Sequence, residues 1–251
     1  MSRYLTTSSI TLRTQPRGED DRVYTLYTSA VGLVDAVADG SQKVLSKLAG
    51  HLEPFGEVVV TLVSRGQAYK LSGAIARRRY RRITESGKTM VAAGACLRFT
   101  RQLLVSGHPE ADTYSLLRDV LEQLNTPLSE SAVCAAPMVY SLKLLAQLGF
   151  QPQLDHCGRC LAEIREGFFD VVAGSLRCLR CTKSSTAQFM RVDAATVAYL
   201  RAALVQPLPQ ALCMGISLST LTAARELVEQ FAEYHTEATR SPSLIRVASF
   251  A

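Results

Sequence analysis

Four cysteines carry the most specific chemistry in this chain. They stand as "CGRC" (Cys157–Cys160) and "CLRC" (Cys178–Cys181), a C-x2-C-x17-C-x2-C spacing. Two residues between thiolates let both sulfurs of one turn face a single ion at ~2.3 Å, and two such turns complete a tetrahedron. With four thiolates and no open position the ion would be structural, so one zinc per chain is expected on Cys157, Cys160, Cys178 and Cys181. An iron–sulfur cluster or redox disulfides could use the same thiols. The alternative function is therefore a zinc-ribbon redox or chaperone-type switch that releases its metal on oxidation. His156 adjoins Cys157, but four cysteines make it redundant as a ligand. Cys96, Cys134 and Cys213 lie among apolar residues and are read as buried thiols.

The second feature is "IARRRYRRI" (Ile75–Ile83), five arginines and a tyrosine between two isoleucines. Such a run is either a solvated surface or a grip on something anionic. The formal net charge is +6, and its placement separates these readings. Met1 to Arg82 holds 13 Lys/Arg against 7 Asp/Glu, and the remaining chain holds 15 of each. The basic excess thus belongs to the N-terminal third, which points to an anionic partner such as nucleic acid.

Several catalytic patterns are missing from the sequence. There is no G-x-x-x-x-G-K-[ST] for a nucleotide triphosphate, no G-x-S-x-G, and no H-x-E…P-C-x-x-C deaminase signature. Asp155 and His156 beside Cys157 are adjacent on one knuckle and cannot easily converge as a nucleophile set. No enzyme activity is expected. The absence of an 18-residue apolar run and of a signal-like start leads us to expect a cytosolic protein without membrane association.

The elements that must position these residues fall into two classes. "SSITLRTQ", "RVYTLYT", "AVGLVDAVADG", "FGEVVVTLVS" and "QAYKLSGAIA" read as five strands, with "SQKVLSKLAGHL" as a short helix between the third and fourth. That order suggests an OB-type barrel. From about Glu85, apolar residues recur at three- and four-residue spacing; Leu116, Leu117, Val120, Leu121 and Leu124 make one such stripe. Pro137 should kink its helix or shift its start. Between the cysteine pairs, "FFDVVAGSLR" reads as strand, Gly174 turn and return strand. The predicted architecture is α+β and multidomain. It places an OB-fold barrel at 1–82, a helical domain at 83–150 and 185–251, and an inserted four-cysteine zinc ribbon at 151–184.

Elements in this order resemble the bacterial RecO family of DNA repair and recombination mediators. The resemblance rests on "RGEDDRVYTLYTSAVGLVDAVADGSQKVLSKLAGHLEPF", on Leu148-Gly149-Phe150 ahead of Cys157 and Cys160, and on "FAEYHTEATRSPSLI". It implies a non-enzymatic protein that binds single- and double-stranded DNA and anneals complementary strands. With the partner RecR, it would help load RecA onto DNA covered by single-strand-binding protein, whose acidic tail contacts the helical domain. It also implies a cytoplasmic, nucleoid-associated location. One departure is that "VADGSQKVLSK" carries Asp39 and only Lys43 and Lys47, where the family is often richer in cations. The DNA-binding candidates are therefore Lys43, Lys47, Arg65, Lys70, Arg77, Arg78, Arg79, Arg81 and Arg82. Arg98, Arg101 and Arg118 are candidates for the acidic tail.

Overall fold

The computed structural model describes residues 4–41, 49–65, 68–183 and 189–236. Five strands come first: β1 (Tyr4–Arg17), β2 (Asp21–Thr28), β3 (Gly32–Ala38), β4 (Glu57–Arg65) and β5 (Ala68–Arg78). They close into a barrel in the order β1-β2-β3-β5-β4, with β4 pairing back onto β1. All pairings are antiparallel except β3 with β5, where Ala36 faces Tyr69 and Val37 faces Lys70. This is an OB-like barrel, as the strand order along the sequence predicts.

Strand β1 is long because it serves two neighbours. Its first half pairs with β4 and its second half with β2, with a register shift between Thr11 and Arg13. Such an irregularity bends a strand so that a small barrel can close. The interior is filled by alternate residues: Tyr24 and Leu26, Val34, Ala36 and Ala38, Val58, Val60 and Leu62, with Leu71 and Leu52. Strand β2 departs from simple alternation, since Tyr24 to Thr28 are all buried. Its outer face is covered by the segment after α2. There Gly107 donates its N–H to the Leu33 carbonyl, and the Tyr27 hydroxyl donates to the Glu110 carbonyl at 3.1 Å. Gly32 has φ +69°, and a Cβ there would stand 2.3 Å from the His108 carbonyl oxygen. A larger residue would push this cover off the barrel.

Helices follow: α1 (Arg81–Glu85), α2 (Gly87–Leu103), α3 (Ala111–Leu124) and α4 (Glu130–Gln147). The chain forms two compact units, Met1–Thr126 and Pro127–Ala251, so α1 to α3 belong to the same unit as the barrel. The stripe Leu116, Leu117, Val120, Leu121 and Leu124 is buried as its spacing predicts. In the second unit α4 is apolar nearly all round and forms the centre, packed by α6 (Ala194–Val205), α7 (Leu208–Leu212) and α8 (Leu218–Thr236). It runs through Pro137 as one helix instead of starting after it. Among the described residues, no helix is long and apolar enough to cross a membrane.

The cysteine region adds β6 (Gly167–Asp170), β7 (Ser175–Arg177), α5 (Leu179–Thr182) and β8 (Met190–Val192). The hairpin β6–β7, turned at Gly174, is the one expected from "FFDVVAGSLR". Strand β8 pairs with the other edge of β6, making a three-stranded sheet that the sequence pattern did not suggest. Only three residues long, β8 offers no alternation to detect. Phe169 meets Phe231 of α8 edge to face at 5.8 Å, anchoring the sheet to the helices of this unit. The expected helix at "SQKVLSKLAGHL" lies largely outside the described residues; its end, Ala49–His51, is a 3-10 turn.

Candidate metal centre and nucleic-acid interface

The first cysteine pair sits on a tight turn held by its own backbone. Cys157 donates its N–H to the Ala162 carbonyl at 2.8 Å, and Leu161 donates to the Cys157 carbonyl at 2.9 Å. Leu161 adopts φ 61°, an unusual state for a branched residue, and is exposed. The second pair follows directly from β7 and opens α5, with Cys181 donating its N–H to the Cys178 carbonyl. Strand β7 ties the turns together, because Gly158 donates to the Leu176 carbonyl and the Cys178 N–H points at the Cys157 sulfur, 3.4 Å away. Gly158 is needed for closeness, not for φ. A Cβ there would lie 2.3 Å from Ser175 Oγ.

The four ligand sulfurs lie within 4.8 Å of one another, and those of Cys160 and Cys178 are 3.8 Å apart. Sulfurs bound at ~2.3 Å to one tetrahedral ion are separated by ~3.8 Å, so the cluster has the size for a four-thiolate metal. Its electrostatics ask for a cation as well. Burial pushes the Cys157 thiol up, but the N–H groups of Cys160, Cys178 and Arg159 outweigh it and leave the group lowered to about 6. The Ala162 N–H lowers Cys160, while burial and the neighbouring thiols push Cys181 up to about 12. Four sulfurs this close cannot all be anionic without a positive charge among them. The four residues can bind a metal ion. Of the other cysteines, Cys96 is buried as expected and its thiol is pushed up by burial, but Cys213 is exposed at the end of α7.

The basic residues are spread around the barrel. Lys43 and Lys47 lie outside the described residues, and so does the side chain of Arg65 at the end of β4. Lys70 is engaged by Asp39 at 2.6 Å. The pair lines a cleft of about 270 Å³ at one barrel end, together with Arg17, Asp21 and Tyr69. Arg77 and Arg78 end β5, both near the buried carboxylate of Glu57, at 3.9 and 3.8 Å. Arg78 also pairs with Glu122 of α3. Arg79 donates to the Gly50 carbonyl at 2.8 Å. Arg81 and Arg82 are exposed on α1. The run "IARRRYRRI" is thus the end of a strand, a joint and a first helical turn.

Two details of that run were decided by the fold. Ile75 is 68% exposed, and the strand continues past it to Arg78. Tyr80, whose ring could stack on a base only if it were accessible, is buried at 7% exposure, with its hydroxyl pushed up to about 12 by burial. Tyr24 and Tyr27 are buried too, and only Tyr69 retains partial access. Glu57 was not singled out from the sequence. Its signal was an acidic residue opening an otherwise apolar strand, "EVVVTLV". Of the acidic-tail candidates, Arg98 is exposed and Arg118 pairs with Asp119 at 2.9 Å.

The family model described as "Recombination protein O N terminal" matches residues 1–79, and "Recombination protein O C terminal" matches residues 84–245. The chain belongs to the RecO family. Relatives support the same placement. A DNA repair protein RecO of a Synechococcus species is 29% identical over 95% of this chain and 83% of its own. One from Rubrobacter xylanophilus is 30% identical over 80% of this chain and 81% of its own. A third, from Streptomyces avermitilis, is 32% identical over 68% and 72% respectively. The RecO N-terminal match ends at the last residue before Tyr80, close to the end of β5. The RecO C-terminal match spans both cysteine pairs.

Proposed function

We propose that this protein is a non-enzymatic recombination mediator in DNA repair. It binds single- and double-stranded DNA, promotes annealing of complementary strands, and acts with RecR to load RecA onto single strands covered by single-strand-binding protein. The observation that carries this reading is an OB-like barrel, rich in cations, at the head of a chain that belongs to the RecO family. Barrels of this type bind oligonucleotides on a strand face and its adjoining loops. The contacts are mainly electrostatic, through the nine cations Lys43, Lys47, Arg65, Lys70, Arg77, Arg78, Arg79, Arg81 and Arg82. Arg81 and Arg82 are exposed on α1, and Lys70 must first leave Asp39.

Zinc is the metal we assign to Cys157, Cys160, Cys178 and Cys181, in a structural role within the insertion at 151–184. The barrel at 1–82 carries DNA binding, and the helical segments at 83–150 and 185–251 take the acidic tail of the single-strand-binding protein. The setting is cytoplasmic, on the nucleoid.

The test is a salt-titrated DNA-binding and annealing assay, with and without single-strand-binding protein. Affinity for a long single strand should fall steeply with salt and show little sequence preference. Retention that is equal at low and high salt, or no acceleration of annealing, would overturn the reading.

A further inference from the structure

The first cysteine turn is held in place by a residue from far along the chain. Arg201, in the middle of α6, reaches back with its guanidinium to both ends of the segment that carries Cys157 and Cys160. Its Nε donates to the Leu154 carbonyl at 3.1 Å and lies 2.9 Å from the Asp155 carboxylate. Its Nη2 donates to the Leu154 carbonyl as well, and to the Ile164 carbonyl at 2.7 Å. The segment between these anchors is a narrow loop. Ile164 donates its N–H to the Asp155 carbonyl at 3.2 Å, and Cys157 donates to the Ala162 carbonyl at 2.8 Å. Leu154 is buried, and the Arg201 side chain is largely covered.

A guanidinium offers five donors in a rigid plane, which suits it to bind two carbonyls and a carboxylate together. Water could solvate the carbonyls of an ordinary surface loop. Here a charged donor from a helix holds them, and charge-assisted bonds are about twice as strong as neutral ones. The clamp therefore fixes where the loop begins and ends, and the Cys157 and Cys160 sulfurs are the cargo between those points.

We infer that Arg201 is a positioning residue for the metal centre, holding the first cysteine turn in its binding geometry and coupling metal binding to helix α6. This rests on the metal reading given above. The coupling is reciprocal: metal should stabilise the unit that contains α6, and the clamp should tighten the metal. Arg201 touches no sulfur, so its effect passes through the backbone at Leu154 and Ile164.

The experiment uses the full chain, zinc, and a chromophoric chelator as competitor. Arg201→Gln should bind zinc ~10–100-fold more weakly, the range for loss of a partner that orients metal ligands. The rise in thermal midpoint on adding zinc should shrink in this variant. That increment is the decisive readout, because a residue that merely stabilised the fold would lower the midpoints with and without zinc equally. Arg201→Lys keeps the charge but cannot span the three acceptors, and should remain weakened. Asp155→Asn leaves the carbonyl contacts and should weaken zinc about threefold, as expected for one partly exposed ion pair. If Arg201→Gln does not fold, the Asp155→Asn result decides. Wild-type zinc affinity and an unchanged zinc increment in the folded variants would overturn the positioning role. Wild-type protein that takes up no zinc would overturn the metal reading itself.

Discussion

Glu57 and Arg78 form a buried-to-exposed ion pair, with Arg78 Nε 3.8 Å from a carboxylate whose side chain is 5% exposed. Their strands face each other in register at that point. Tyr114 of α3 donates its hydroxyl to the same carboxylate at 3.3 Å, and Arg78 continues to Glu122. The pair therefore joins the end of the barrel to the helices of its own unit. Removing one partner leaves a buried acceptor poorly satisfied, which costs ~1–3 kcal/mol. Since Arg78 is half exposed, Arg78→Ala should lie at the low end, about 1 kcal/mol, measured by urea denaturation.

Arg81 and Arg82 have a different environment, exposed on α1. If they meet phosphates, replacing both by alanine should reduce the salt slope of single-strand binding by up to about 1.4, since each phosphate contact contributes ~0.7. Arg78→Ala should change that slope less than the double variant does. Equal slopes for wild type and the double variant would remove these two residues from the interface.

The contact between Gly158 and Ser175 gives a paired prediction. Gly158→Ala places a methyl group 2.3 Å from Ser175 Oγ, so the first cysteine turn must move away from β7. Overpacking of this kind costs ~1–3 kcal/mol. Ser175→Gly removes the obstructing atoms, so the double variant should recover much of the loss. A coupling of ~0.5–3 kcal/mol in a double-mutant cycle, measured by thermal unfolding, is expected for residues in contact.

Glu229 on α8 supplies the pH dependence. Burial raises its carboxyl to about 6 from an ordinary 4.5; Arg225 opposes the rise, while Glu226 and Glu233 add to it. A folded acid with a raised pKa holds more protons than the unfolded chain between these values. Its contribution to stability is therefore present below about 4.5 and lost as pH rises through about 6. Glu229→Gln should flatten this part of the stability profile and be more stable than wild type above about pH 6. Denaturant midpoints measured from pH 4 to 8 check this, and an unchanged profile would count against it.

Period-2 alternation made the five strands legible, because one side of each strand must fill the barrel. The α3 stripe was legible for the matching helical reason. The C-x2-C pairs were equally plain, since knuckle chemistry is local and needs only two intervening residues. Strand β8 was not legible, being too short to show a pattern before it pairs. Nor was the exposure of Ile75, which depends on which face of β5 the closed barrel turns inward.

Sequence alone therefore determined the five barrel strands, the apolar stripe of α3, the four thiols, and the concentration of positive charge in the first third of the chain. Those properties are set by neighbours a few residues apart. Tertiary structure decided which cations are already engaged: Lys70 by Asp39, Arg78 by Glu57 and Glu122, and Arg79 by the Gly50 carbonyl. It also decided that Arg201, one arginine among many in the sequence, would bond both ends of the loop that carries the first cysteine pair. A charged side chain acquires its role from the carboxylates and carbonyls that folding brings within reach, and separation along the chain does not reveal that distance.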